Sequence, residues 1–235
     1  MERGNTLRSR GLQLGLFAGL AALAVALTAA AHSTGSTSFR GFFGGANPLV
    51  VVVAVAALGG ALVHQLQGRL GLAVWRRHNR SGLGLSAALA VPFAVVMILV
   101  DRQGAFPAGL NVPFPGSLAF YPAMAFVAEI LFQVVPLAVL AFVLGAVAPG
   151  LGRGRILSIS VLAASLAEPL YQARLQLAHS AAWAVAYVAL HVYLMSLVQL
   201  SLYRRRDLLS MYAFRLSYYL IWHIIWGYLR LELLF

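Results

Sequence analysis

Apolar residues fall in seven long runs separated by short polar connections, at roughly 11–32, 47–67, 82–100, 118–147, 156–173, 181–202 and 208–230. A helix of about 20 predominantly apolar residues crosses the roughly 30 Å hydrocarbon core of a bilayer, and each run is close to that length. The pattern predicts an all-α, polytopic integral membrane helix bundle of about seven transmembrane helices. It leaves no room for a separate soluble domain: residues 1–235 read as one transmembrane domain, with three scaffold spans in 1–117 and a four-span core in 118–232. The first run has a basic start and ends in the small residues TAAAHS, which imitates a secretory signal peptide. Its apolar stretch is longer than an ordinary signal core, so it is expected to be a retained span. The connections STGSTSFRGFFGGAN and DRQGAFPAGLNVPFPG are rich in Gly, Pro and Ser and read as turn material.

The arginines alternate across these connections. The N-terminus carries Arg3, Arg8 and Arg10, and the next connection only Arg40. Arg69, Arg76, Arg77 and Arg80 then precede a lone Arg102 beside Asp101; Arg153 and Arg155 precede Arg174; and Arg204, Arg205 and Arg206 precede Arg230. Cytoplasmic loops hold the excess of basic residues. The alternation therefore puts the N-terminus in the cytoplasm and the C-terminus outside, in a cytoplasm-bounding membrane such as a bacterial inner membrane.

Composition agrees with this picture and removes one competitor. Hydrophobic residues make up 61% of the chain and charged residues 10%, against about 45–50% and 25% in soluble domains, and mean hydropathy is +0.85. The formal net charge of +11 suggests nucleic-acid binding only until its placement is read. All 17 basic residues are arginines, and all but Arg215 sit at the N-terminus, in short connections or at a span end, where they encode topology rather than phosphate recognition. No nucleic-acid partner is expected. Cysteine is absent, which excludes disulfides, thiolate metal sites and a cysteine nucleophile; no metal-ligand set stands out among the other residues.

Against this background Glu129, Gln133, Glu168 and Arg215 are conspicuous, because each lies within a run that is otherwise hydrocarbon. A charge at bilayer depth costs from a few to ten or more kcal/mol unless it is paired or faces a polar cavity. Residues three or four apart share a helix face. Spacing thus groups Glu129 with Gln133; Ser158, Ser165, Glu168 and Gln172; Trp183, Tyr187, His191, Met195 and Gln199; and Arg215, Tyr219, His223 and Gly227. Four consecutive spans each carry one polar face, and these faces can be buried only against one another. Ser, Tyr and Trp in spans commonly serve as helix–helix glue or interfacial belts, and each histidine alone fits a hydrogen-bonded core role. The three charges are costlier, and they are expected to face one interior cavity. Counted along the helices, Arg215 and Glu168 lie about 9 Å apart in depth. Direct pairing then needs tilt or a bridge through Glu129.

The last four spans resemble the CPBP family (CAAX protease and bacteriocin-processing, or Abi) of glutamate-type intramembrane proteases. Ala128, Glu129, Ile130, Leu131, Phe132 and Gln133 stand where that family writes Glu-Glu-x-x-x-Arg. ILSISVLAASLAEP has the placement of its Phe-x-x-x-His segment, with Ala164 at the aromatic position and Glu168 at the histidine. LYRRRDLLSMYAFRLSYYL fits its third region, with Asp207 at a glycine, Arg215 at a histidine and Tyr219 at the last polar position. Only Glu129 matches a signature residue. A second register uses Tyr187 and His191 as Phe-x-x-x-His, with AEPLYQ as the first motif and His223 ending the third.

The resemblance implies a CPBP-like four-span core whose mechanism is water activation by Glu and His for amide hydrolysis. It makes Glu129, Glu168 and His191 the candidate catalytic residues and Gln133, Arg215, Tyr219 and His223 the candidate binding residues. The exchanged residues imply a diverged site of the pseudoenzyme kind. The competing expectation is a non-catalytic accessory or assembly subunit. Either would engage a transmembrane protein or peptide client, or neighbouring membrane subunits, within the lipid bilayer. No cofactor is required by these readings; a minor alternative has His191 and His223 ligating a haem or pigment.

Overall fold

The computed structural model describes residues 2–33, 38–76, 80–176 and 181–235, with side chains described for 11–33, 38–76, 81–174 and 181–235. Among these residues every regular element is helical. Six helical runs are long and apolar enough to cross a membrane: Gly11–Ser33, Pro48–Leu70, Ser81–Asp101, Ser117–Val147, Arg153–Arg174 and Ala182–Arg205. The seventh run of the sequence, 208–230, is also helical throughout, from Leu208 to Leu233. It falls outside those six because it carries Arg215, His223 and Arg230.

In chain order the helices are α1 (Glu2–Ser33), α2 (Arg40–Phe43), α3 (Pro48–Leu70), α4 (Arg80–Asp101), α5 (Ser117–Ala128), α6 (Val135–Val147), α7 (Arg153–Ala164), α8 (Ala167–Gln176), α9 (Ala182–Arg205), α10 (Leu208–Tyr219) and α11 (Gly227–Leu233). The fourth span is α5 and α6, joined by a π-helical segment at Glu129–Val134. The seventh is α10 and α11, joined by another at Leu220–Trp226. Local chemistry sets several of these boundaries. Asn47 caps α3, its side chain accepting Leu49 N at 2.9 Å before Pro48, and Gly71 closes that helix at φ +58°. Asp207 caps α10, accepting Ser210 N at 2.9 Å and Ser210 Oγ at 2.7 Å.

Prolines accompany the irregularities of the fourth and fifth spans; the π-helical segment of the seventh span has none. Pro136 has no N–H for the carbonyl four residues back, and the π-helical segment lies directly before it, with Val135 N bonded to Ile130 O. Pro169 likewise leaves Ser165 O without its helical partner, and the fifth span breaks into α7 and α8 at residues 165 and 166. Ser165 Oγ donates back to Val161 O at 2.8 Å, a bond that bends helices.

The helix α1 packs on α3 and α5, α4 lies along α10, and α9 contacts α7, α8 and α10. Half of the α9 span is buried, against 22% of α1 and of α4. Together with α10, which packs on α4, α5 and α9, it forms the interior of the bundle, and the first three spans are more peripheral. The outer surface is hydrocarbon, with Val50, Val95, Val143 and Leu170 among the exposed side chains, as lipid contact requires. Arg77 lies outside the described residues, as do the side chains of Arg3, Arg8, Arg10 and Arg80.

Candidate functional site

Arg215, on α10 and 1% exposed, is the centre of the buried polar site. Its Nη1 and Nη2 form a bidentate pair with Glu168, at 2.8 Å to Oε1 and 2.6 Å to Oε2. Its Nε donates to Glu129 Oε1 at 2.9 Å. The remaining donors reach Gln199 Oε1 at 3.0 Å and Tyr219 OH at 3.3 Å. A guanidinium has five N–H donors in a fixed fork, and here all five are engaged. Such charge-assisted, bidentate contacts are the geometry best able to offset desolvation of buried ions.

The carboxylates differ in how completely they are satisfied. Besides Arg215, Glu168 accepts Gln172 Nε2 at 3.3 Å on Oε1 and Gln133 Nε2 at 3.1 Å on Oε2. Both of its oxygens are doubly engaged. Glu129 Oε1 accepts Arg215 and Gln199 Nε2, the latter at 2.9 Å, while Glu129 Oε2 is buried with no partner among the described residues. Gln133 Nε2 also donates to Ser196 Oγ at 3.0 Å, and its Oε1 is likewise buried without a partner. Two carboxylates share one guanidinium, so the ionised cluster carries one uncompensated negative charge. Glu129 Oε2 is the atom at which a proton or a ligand's donor would be accommodated.

The three charges meet in one network and the depth gap inferred from helical rise is closed, but the expected common cavity is lined only by Glu168 and Arg215, with Glu129 buried behind them. The break at residues 165 and 166 resets Glu168 to the first turn of α8, and Glu129 opens the π-helical segment. Neither residue projects as it would from a straight helix. Gln133 and Tyr219 join the same network.

His191 stands apart from the charged cluster, whereas His223 lines the same small chamber as Glu168 and Arg215. His191 packs against Phe93, Tyr187 and Tyr218, with ring centroids 5.5, 5.7 and 5.9 Å away. Its buried Nε2 has no partner among the described residues, so no hydrogen bond from that atom links it to either carboxylate. His223 pairs through Nδ1 with Asn111 Oδ1 at 2.7 Å and stacks on Tyr121 with centroids 4.5 Å apart. Tyr218 packs against both histidines, so an aromatic ring adjoins each of the two proposed haem ligands.

Sequence reasoning missed several partners. Gln199 was on the α9 stripe but not singled out; Ser196 lies one turn away on the same helix. Asn111 comes from a connection and has no periodicity to reveal it. A second buried ion pair was also missed. Asp101 and Arg230, both fully buried, meet at 2.7 Å through Nε–Oδ2 and again through Nη2–Oδ1. Trp226 Nε1 donates to Asp101 Oδ2 at 2.6 Å, and Arg230 also holds the carbonyls of Phe106, Pro107 and Ala108.

A cavity of about 410 Å³ adjoins the charged site. Its walls are mainly apolar, including Phe42, Val112, Phe120, Met124, Leu131 and Phe132. Glu168, Gln172, Tyr219 and His223 also line it, and all four line a smaller chamber of about 60 Å³ that includes Arg215. An apolar pocket thus ends on a polar wall, in the size range of small-ligand sites. No family model, curated protein or solved structure matches this chain.

Proposed function

We propose that this chain is a non-catalytic membrane protein with a CPBP-type core, which holds part of a membrane-embedded client in the apolar cavity beside Glu168. The observation that carries this reading is the complete engagement of Arg215. A hydrolytic site needs a base with a free lone pair within reach of a water and the reacting carbonyl. Here Glu168 is saturated by four donors, His191 is walled in by aromatic rings, and Glu129, whose Oε2 keeps its lone pairs, is buried and lines neither the cavity nor the small chamber beside it. The cluster has the form of a structural tie between the fourth, fifth, sixth and seventh spans. The cavity is too small for an intact helix, which is about 10 Å across with its side chains. It suits a few client side chains or the apolar part of an amphiphile, and Gln172, Tyr219 and His223 supply polar contacts at its inner end.

The deciding experiment combines a photo-crosslinking residue at Leu131, in the cavity wall, with the same residue at the lipid-facing Val143. Full-length client captured from Leu131 and not from Val143 supports a holding role. Client cleavage that disappears in a folded Glu129→Gln variant would overturn it in favour of peptidase activity.

The same reading orients the chain with its N-terminus in the cytoplasm of a bacterial inner membrane, on the strength of the arginine alternation. Because the chain has no cysteine, single cysteines report topology directly. An impermeant thiol reagent added to intact cells should label Gly104→Cys and spare Gly152→Cys; the reverse pattern would invert the orientation.

A further inference from the structure

At the opposite end of the bundle from the Asp101–Arg230 pair, a groove of about 500 Å³ runs between α4 and α9. Its upper wall is basic: Arg76 precedes α4, while Arg205 and Arg206 stand at the end of α9. Its lower wall is apolar, formed by Leu85 and Leu89 of α4 and by Val198 and Leu202 of α9, with Ser201 between the two zones. Leu85 and Leu89 are 44% and 37% exposed, so neighbouring helices do not cover them.

We propose that this groove binds one anionic phospholipid, its phosphate against Arg76 and Arg205 and an acyl chain along Leu85, Leu89 and Val198. The depth fits. At 1.5 Å per residue, Leu85 lies about 7 Å and Leu89 about 13 Å below Arg80, and Val198 lies about 10 Å below Arg205. The groove therefore runs from headgroup level into the acyl region. Charge selects the headgroup. The carboxylate nearest in sequence, Asp207, does not line the groove: it is fully buried, accepting Arg76 N at 3.0 Å as well as Ser210 N and Oγ. Arg76 is held in place, since its Nη1 donates to Arg205 O at 3.3 Å. The site is thus partly preorganised, and guanidinium forks match phosphate oxygens bidentately. Basic pockets between spans at the cytoplasmic face are a recognised lipid-binding arrangement.

The test uses the purified full chain in mixed nanodiscs of phosphatidylglycerol and phosphatidylcholine, released for native mass spectrometry. The expected result is one retained phosphatidylglycerol per chain in preference to phosphatidylcholine. Each arginine at a membrane surface contributes about 1 kcal/mol, so Arg76→Gln and Arg205→Gln should each lower that retention roughly fivefold. Leu89→Ser should also lower it while leaving every charge in place, which a headgroup-only contact would not predict. Equal retention of both lipids, or unchanged retention in the arginine variants, would overturn the proposal. A thermal-stability gain from inorganic phosphate equal to that from phosphatidylglycerol would reassign the groove to free phosphate. Should either arginine variant fail to fold, the wild-type preference between the two lipids still decides.

Discussion

At the level of single residues, the buried charges are unequal. Removing one partner of a buried ion pair leaves the other unpaired, a loss of about 3–5 kcal/mol. Arg215→Met should approach or exceed that, because it strands two carboxylates at once; thermal unfolding in detergent measures it. Glu168→Gln breaks the bidentate pair and should fall in the same range. Glu129→Gln should behave differently. It keeps an acceptor for Arg215 and Gln199, removes the uncompensated charge, and affects an oxygen that has no partner among the described residues. Its cost should stay below about 1.5 kcal/mol, the scale of one net hydrogen bond. If Glu129→Gln proves as damaging as Glu168→Gln, the assignment of Glu129 as the less constrained carboxylate is wrong. Glu129, Glu168 and Arg215 were legible in the sequence because charge inside an apolar run is costly wherever the chain folds. Which carboxylate Arg215 takes was not legible, since side-chain reach depends on how two distant helices are kinked.

At the level of elements, close packing holds the π-helical segment of the fourth span against α3. A Cβ built on Gly59 would stand 2.8 Å from Ile130 Cδ1, and Ile130 is itself buried, with no room to turn away. Gly59→Ala should therefore destabilise by about 1–3 kcal/mol, and Ile130→Ala in the same chain should recover part of that loss. A double-mutant cycle reads the coupling. Gly227 has a similar role in the seventh span, where an added Cβ would meet Asn111 Nδ2 at 3.0 Å. Gly227→Ala should displace Asn111 from His223 and weaken the end of the cavity. Pro136 and Pro169, behind the irregularities of the fourth and fifth spans, were visible in the sequence. Their consequence, that the chain turns while staying helical, depends on neighbours that supply packing on the outer side of each bend.

At the level of the whole molecule, two buried ionic ties secure the bundle: Arg215 joins the later spans, and Arg230 binds the connection between the third and fourth spans to the last helix. Arg230→Met should leave Asp101 unpaired and free the carbonyls of residues 106–108, costing several kcal/mol and making residues 102–116 accessible to protease. Protection equal to wild type would show that the connection is held by its apolar contacts instead. The Asp101–Arg230 tie was not legible because each residue stands at the end of an apolar run, and so reads as a connection residue. It becomes buried only when the 102–116 connection folds back over the helix ends.

The sequence by itself determined the helical membrane class, the span limits to within a few residues, and three of the charges at the interior site. These follow from the cost of exposing backbone and charge to hydrocarbon, a penalty that acts residue by residue. Only the tertiary structure decided that Arg215 serves both carboxylates, that His191 stands among aromatic rings, and that an apolar cavity opens beside Glu168. Those outcomes depend on helix breaks, rotations and side-chain reach summed over several spans, and no periodicity along one chain records them.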